Sequence, residues 1–125
     1  MNSKKILIVE DDQQLQSALK DKFDNEGFDV FVASDGEEGL AITGKEKPDL
    51  ILIDILLPKV DGIVMAKEIK KLNLGTMMIF LTNLSDMQHI ADALEASYGD
   101  VDYLVKSDWD IDDIVKKVKE RLNIK

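Results

Sequence analysis

The stretch LILIDILLPKVDG, residues 50–62, carries the reading of the fold. Four apolar side chains, Leu50 to Ile53, run straight into one carboxylate, Asp54, and then into a loop holding Pro58, Asp61 and Gly62. A continuous apolar run, in place of an alternating one, belongs to a strand covered on both faces, the condition of a parallel sheet lying between helices. Proline fixes φ and the Asp61-Gly62 pair is turn chemistry, so this loop is read as structural.

Runs of the same kind occur at Ile6–Val9, Val30–Ala33, Met77–Leu81 and Val101–Val105, each followed by a segment with helical periodicity. Five strands therefore alternate with five helices. Leu15, Ala18, Leu19 and Phe23 recur at helical spacing before Gly27, which suits the position just past a helix end. Ser34 and Glu37 have capping-box spacing, and Pro48 marks the far end of the helix they open. Met65, Ile69 and Leu72 form one face of the third helix. Ser85 and Gln88 open the fourth, with Met87, Ile90, Ala91 and Leu94 as its apolar stripe. In the fifth, Ile111, Ile114, Val115, Val118 and Leu122 share a face, with aspartates early and lysines and Arg121 late, the order a helix dipole favours. Right-handed crossovers then give a doubly wound α/β domain with helices on both faces of a five-stranded parallel sheet.

Length and composition bound the possibilities. A chain of 125 residues suffices for one compact domain, residues 1–125, and is too short for two. Hydrophobic residues make up 45% and charged residues 33%, far from the composition of disordered chains. A net charge of −9 opposes direct, non-specific binding to nucleic acid, whose phosphates would be repelled. With no cysteine there is neither a disulfide nor a thiolate metal site. The apolar run near the N-terminus is too short for a signal peptide and no run is long enough to cross a membrane, so a cytoplasmic location is expected.

In an open parallel sheet, ligands bind beyond the carboxyl ends of the strands, near the point where strand order reverses. The first strand ends in Glu10, Asp11 and Asp12, the third in Asp54, the fourth in Thr82 and the fifth in Lys106. Single acids at strand ends are commonly solvated loop residues, and Asp12 also suits the cap of the first helix. Several acids together repel one another, and a bound cation relieves that repulsion. An all-oxygen set suits Mg²⁺, or Mn²⁺, over softer metals.

The segments ILIVEDD, LIDILLPKVDG, FLTN and DYLVK, in this order and at these separations, resemble the receiver domain of bacterial two-component response regulators. The resemblance runs from about Lys4 to Leu122. It implies a flavodoxin-like strand order of 2-1-3-4-5, which the pattern alone leaves open. It also implies that Asp54 is the phospho-acceptor and that Glu10, Asp11, Asp54 and the Leu56 backbone carbonyl hold Mg²⁺. Lys106 and Thr82 are then the catalytic partners of the transferred group. Thr82 and Tyr103 would form the switch, although Tyr103 also reads as a half-buried strand aromatic. The implied partners are a sensor histidine kinase or phosphotransfer protein and an unknown downstream protein, met by the fourth helix, fifth strand and fifth helix. The chain would be a monomer or a phosphorylation-dependent dimer. It would be no enzyme beyond catalysing its own phosphorylation and slow autodephosphorylation.

Two departures from the family pattern stand out. Ser107 follows Lys106 where most receivers have proline, and Asn83 follows Thr82 where a smaller residue is usual. Leu56 and Leu84 carry no polar group to orient an attacking water, so a long-lived phosphoryl-aspartate is expected. His89, the one histidine, reads as an ordinary helix position, and Trp109 as a packed helix-start residue or a partner anchor. A stand-alone regulator is the expectation, and a receiver cut from a longer chain reads the same. The alternative is a constitutive, non-phosphorylated interaction module of the same fold. A flavin-binding protein is disfavoured because EDDQQ, residues 10–14, repels a phosphate where that fold would cradle one. A small-substrate phosphatase lacks a second carboxylate two positions after Asp54.

Overall fold

The computed structural model describes residues 4–55, 57, 59–72, 75–82, 102–105 and 110–123. In chain order the elements are β1 (Lys5–Val9), α1 (Gln13–Asn25), β2 (Asp29–Ala33), α2 (Gly36–Glu46), β3 (Leu50–Asp54), α3 (Gly62–Leu72), β4 (Met77–Thr82), β5 (Asp102–Val105) and α4 (Ile111–Arg121). The last of these is the fifth helix of the sequence reading. The fourth expected helix, opened by Ser85, lies outside the described residues, as do Leu56, Asn83, Leu84, His89, Lys106, Ser107 and Trp109.

All strand pairs are parallel and the sheet order is β2-β1-β3-β4-β5, as the resemblance implied. The chain leaves β1 toward one edge and returns as β3 on the other side, so strand order reverses between these two. Register Val9↔Ile53 puts the carboxyl ends of β1 and β3 side by side at that reversal.

Alternation along the strands sorts their apolar residues onto two faces. Ile6, Ile8, Leu50, Leu52, Ile79, Leu81 and Leu104 pack with Leu19, Phe23, Ile114, Val115 and Val118 of α1 and α4. Leu7, Val9, Ile51, Ile53 and Phe80 pack with Met65, Ala66 and Ile69 of α3, with Leu40 and Ile42 of α2 against them. Each face is a core, which explains why the strands read as unbroken apolar runs. Fully burying one such aliphatic side chain stabilises by about 1.5–3 kcal/mol. Of the expected α3 stripe, Met65 and Ile69 are buried, but Leu72 is 47% exposed. It is the last residue of α3, at the helix terminus.

The helix ends are set by local chemistry. Asp12 caps α1, its Oδ1 accepting from the Gln14 and Leu15 amides at 3.0 and 3.3 Å. At the other end the Phe28 amide donates to Phe23 O and the Gly27 amide to Asp24 O, the double bond pattern of a Schellman stop. Gly27 takes φ +92° there, and the Phe23 and Phe28 rings meet edge to face at 5.4 Å. The capping box expected from Ser34 and Glu37 is not formed. Asp35 caps α2 instead, its Oδ1 accepting from the Glu38 amide at 2.8 Å. A carboxylate is the stronger acceptor, and Ser34 Oγ is engaged by the Gln13 and Gln16 side chains. Asp110 caps α4 by accepting from the Asp113 amide at 2.9 Å. The pairs Lys22–Asp112 and Lys119–Glu26 link α1 to α4 across their shared face.

Candidate functional site

Asp54 is the last residue of β3 and is 5% exposed; Glu10 follows β1 and is fully buried. Leu50, Leu52 and Asp54 form one strand row, and Ile6, Ile8 and Glu10 continue the neighbouring one. Asp11, exposed at the rim, joins them: carboxylate oxygens of Glu10, Asp11 and Asp54 all lie within 4.8 Å of one another. Asp12 is not a member of this group, because its carboxylate is committed to the first turn of α1. That decides between its two sequence readings.

Three unit charges this close repel one another. At the 4.8 Å limit each pair costs about 0.9 kcal/mol in water and about 3.5 kcal/mol at an effective dielectric of 20. A hard dication reverses the sign of that term. Oxygens on opposite sides of a Mg²⁺ stand about 4.2 Å apart, so the cluster has the span and the donor chemistry for Mg²⁺ or Mn²⁺.

The loop after Asp54 is held from several sides. The Ile55 amide donates to Leu81 O at 3.2 Å, carrying the β3–β4 ladder one residue past the acid. The Gly62 amide donates to Ile55 O at 2.9 Å, which closes the loop on itself. A Cβ on Gly62 would sit 2.5 Å from Asp54 O and 2.7 Å from Ile55 Cα, so this glycine is required by close backbone approach. Asp61, read from the sequence as a turn residue, is more specifically the cap of α3, accepting from the Val64 amide at 2.9 Å. On its outer side the loop packs into the start of α2, where a Cβ on Gly36 would meet Val60 O at 2.0 Å. Lys59, at φ 67°, reaches Asp35 with Nζ 3.6 Å from Oδ2. The Glu38 amide, helped by Lys59, holds the Asp35 carboxyl below the usual aspartate value against the opposing effect of its partial burial.

Thr82 and Tyr103 are located by strand register. Asp54 is paired with Leu81, so Thr82 stands one residue beyond it toward the carboxyl edge and is itself paired with Val105. Tyr103 is paired with Phe80. Lys106, which follows Val105, and Leu56 lie outside the described residues.

One polar residue at this edge belongs to no motif in the sequence. Gln16 is 8% exposed, and its Nε2 lies 2.9 Å from Glu10 O, 3.1 Å from Ala33 O and 3.2 Å from Ser34 Oγ. Its signal was positional: Gln16, Leu19 and Phe23 fall on one helical face, so a polar side chain stands in line with two core residues.

A doubly wound parallel sheet with an acid cluster at its switch point is the general class. Within it, the chain belongs to the response regulator receiver domain family, whose model matches residues 6–119. The alkaline phosphatase synthesis transcriptional regulatory protein PhoP of Bacillus subtilis is 36% identical over 124 residues, covering 98% of this chain. The chain spans about half of that relative's length, 51%. Sporulation initiation phosphotransferase F, also of B. subtilis, is 34% identical over 125 residues, covering all of this chain and 98% of the relative. Among solved structures, a CheY-like receiver domain protein of Methanospirillum hungatei superposes with a TM-score of 0.86 at 32% identity, covering 98% of this chain and 95% of that one. No helix among the described residues is long and apolar enough to cross a membrane.

Proposed function

We propose that Asp54 is the nucleophile that receives a phosphoryl group from a phosphohistidine on a sensor histidine kinase or a phosphotransfer protein. A carboxylate oxygen of Asp54 bonds to phosphorus as the phosphorus–nitrogen bond to the histidine breaks, and the imidazole leaves with that electron pair. The product is an acyl phosphate on the tip of β3. A buried strand is a rigid mount for such a nucleophile, and positioning with electrostatic stabilisation supplies most of the catalysis in phosphoryl transfer.

Glu10, Asp11 and Asp54, with the Leu56 carbonyl, would hold Mg²⁺, which supplies positive charge against the phosphoryl oxygens when bound. Lys106 neutralises a second oxygen and Thr82 donates a hydrogen bond to a third. Thr82 and Tyr103 then convert phosphorylation into a population shift of a partner-binding face built from the segment around Ser85–Leu94, β5 and α4. The downstream partner is a protein; a phosphorelay role is supported by the relative of matching length that is a phosphotransferase by name.

The observation that carries this reading is the meeting of Asp54, buried at the strand end, with Glu10 and Asp11 within 4.8 Å. Its test is intact mass after incubation with acetyl phosphate and Mg²⁺. A single phosphoryl adduct is expected, absent with EDTA and absent in Asp54→Asn. A folded protein that gains no adduct from acetyl phosphate or from any phosphohistidine donor would instead be a constitutive interaction module.

A further inference from the structure

We infer that Gln16 is a positioning residue of the acid cluster, its side-chain amide holding the peptide that joins Glu10 to Asp11 and so setting the cluster's affinity for a divalent cation. The inference rests on the reading of Glu10, Asp11 and Asp54 as a cation site, and extends it to a residue outside the ligand set.

The geometry is that of a clamp. Glu10 lies just past the end of β1. Its amide donates to Ala33 O at 3.0 Å, and its carbonyl accepts from Gln16 Nε2 at 2.9 Å. Both polar groups of the Glu10 backbone are thus tied down, one by β2 and one by α1. The carbonyl belongs to the peptide unit shared with Asp11, so fixing it sets the directions from which both acids leave the chain. Two carboxylates on consecutive residues converge on one point only if that peptide plane is held.

Chemistry settles the orientation of the Gln16 amide. Glu10 O and Ala33 O are both acceptors and lie 2.9 and 3.1 Å from the same side-chain atom, so that atom is the NH₂ group. The two hydrogens of that group serve three acceptors, so Ser34 Oγ, 3.2 Å away, shares one of them, and it also takes a hydrogen bond from Gln13 Nε2. A glutamine spent only on fastening α1 to the sheet would need one such contact. This one spans the ends of β1 and β2 and does so beside a buried carboxylate. Partners of this kind, which orient the ligating groups, typically change metal affinity by about 10- to 100-fold when removed.

The test is the Mn²⁺ dissociation constant of wild type, Gln16→Met, Gln16→Ala, the exposed-site control Gln14→Met, and Asp54→Asn, measured by paramagnetic resonance at a temperature where each is folded. Methionine keeps the length of the side chain without the donor, and alanine and methionine are both good helix formers, so two routes to a folded variant exist. Wild-type binding that weakens at least tenfold in either Gln16 variant, and stays unchanged in Gln14→Met, is the expected result. A Gln16 variant that melts lower yet binds Mn²⁺ as wild type does would reduce Gln16 to a helix fastener and overturn the inference. Absence of Mn²⁺ binding in wild type, or binding that Asp54→Asn leaves intact, would overturn the cation site itself and the role of Gln16 with it.

Discussion

Replacing Asp54 by asparagine should raise the stability of the cation-free protein while abolishing phosphoryl acceptance. Asp54 takes part in two of the three pairwise repulsions of the cluster. The pair it makes with fully buried Glu10 belongs nearer the 3.5 kcal/mol end of the range, and the pair with exposed Asp11 nearer the 0.9 kcal/mol end, both about. The interactions that the carboxylate itself makes offset about 1.5–3 kcal/mol of that gross relief, the range for a hydrogen bond to a charged group, which leaves a net gain of about 2 kcal/mol. With an unfolding entropy of about 2.1 cal/mol/K per residue, a domain of this length gains about 8 °C in Tm. Mg²⁺ should then invert the order. At a hundred times its dissociation constant it adds about 2.7 kcal/mol to wild type and far less to the asparagine variant. The assay is thermal unfolding of both proteins in EDTA and in a Mg²⁺ series. Equal melting temperatures in EDTA together with equal Mg²⁺ shifts would refute the argument, because the three carboxylates would then share neither repulsion nor a cation.

Three further outcomes follow from particular residues. Gly62→Ala drives a methyl against Asp54 O and Ile55 Cα, so it should cost about 1–3 kcal/mol in a urea melt and lower the yield of phosphoryl adduct in the protein that remains folded. In acid, Asp35 and Glu26 both have carboxyls held below their usual values, Asp35 chiefly by the Glu38 amide and Glu26 chiefly by its hydrogen bond from Lys119. A depressed carboxyl contributes stability above its unfolded value, 3.8 for Asp35 and 4.5 for Glu26, and loses it as pH falls through the lower folded value. Wild type should therefore lose stability with falling pH in that window more steeply than Asp35→Asn, which keeps the capping oxygen and removes the titration; parallel curves would contradict this. Finally, Leu56 and Leu84 offer no polar side chain to an attacking water, so the phosphoryl-aspartate should decay slowly once excess donor is removed, and a half-life of seconds by mass spectrometry would contradict the expectation.

Much of the site was legible because its chemistry lies in side chains at strand ends. Glu10, Asp11 and Asp54 could be named from the sequence since each terminates or follows an apolar run. Gln16 could not. Its role is to hold backbone carbonyls of Glu10 and Ala33, and a hydrogen bond to backbone leaves no pairing signature in the partner's residue type. Ser34 as the cap of α2 failed for a related reason. Serine and aspartate are both good capping residues, and it is the nearness of α1, which brings the Gln13 and Gln16 amides to Ser34, that leaves the cap to the stronger acceptor Asp35.

The sequence by itself determined the alternation of strands and helices, the double-sided burial of the sheet and the acids at its carboxyl edge, because period and apolar run length are local properties of the chain. Leu72 marks where that locality stops: its helical phase puts it on the α3 stripe, but whether a stripe residue is covered depends on what packs against it, and Leu72, at the end of α3, is left exposed. Only the tertiary structure decided that Glu10 and Asp54, with three elements of the chain between the strands that carry them, become neighbours. That follows from the parallel register Val9↔Ile53, which long-range packing sets and no short stretch of sequence contains.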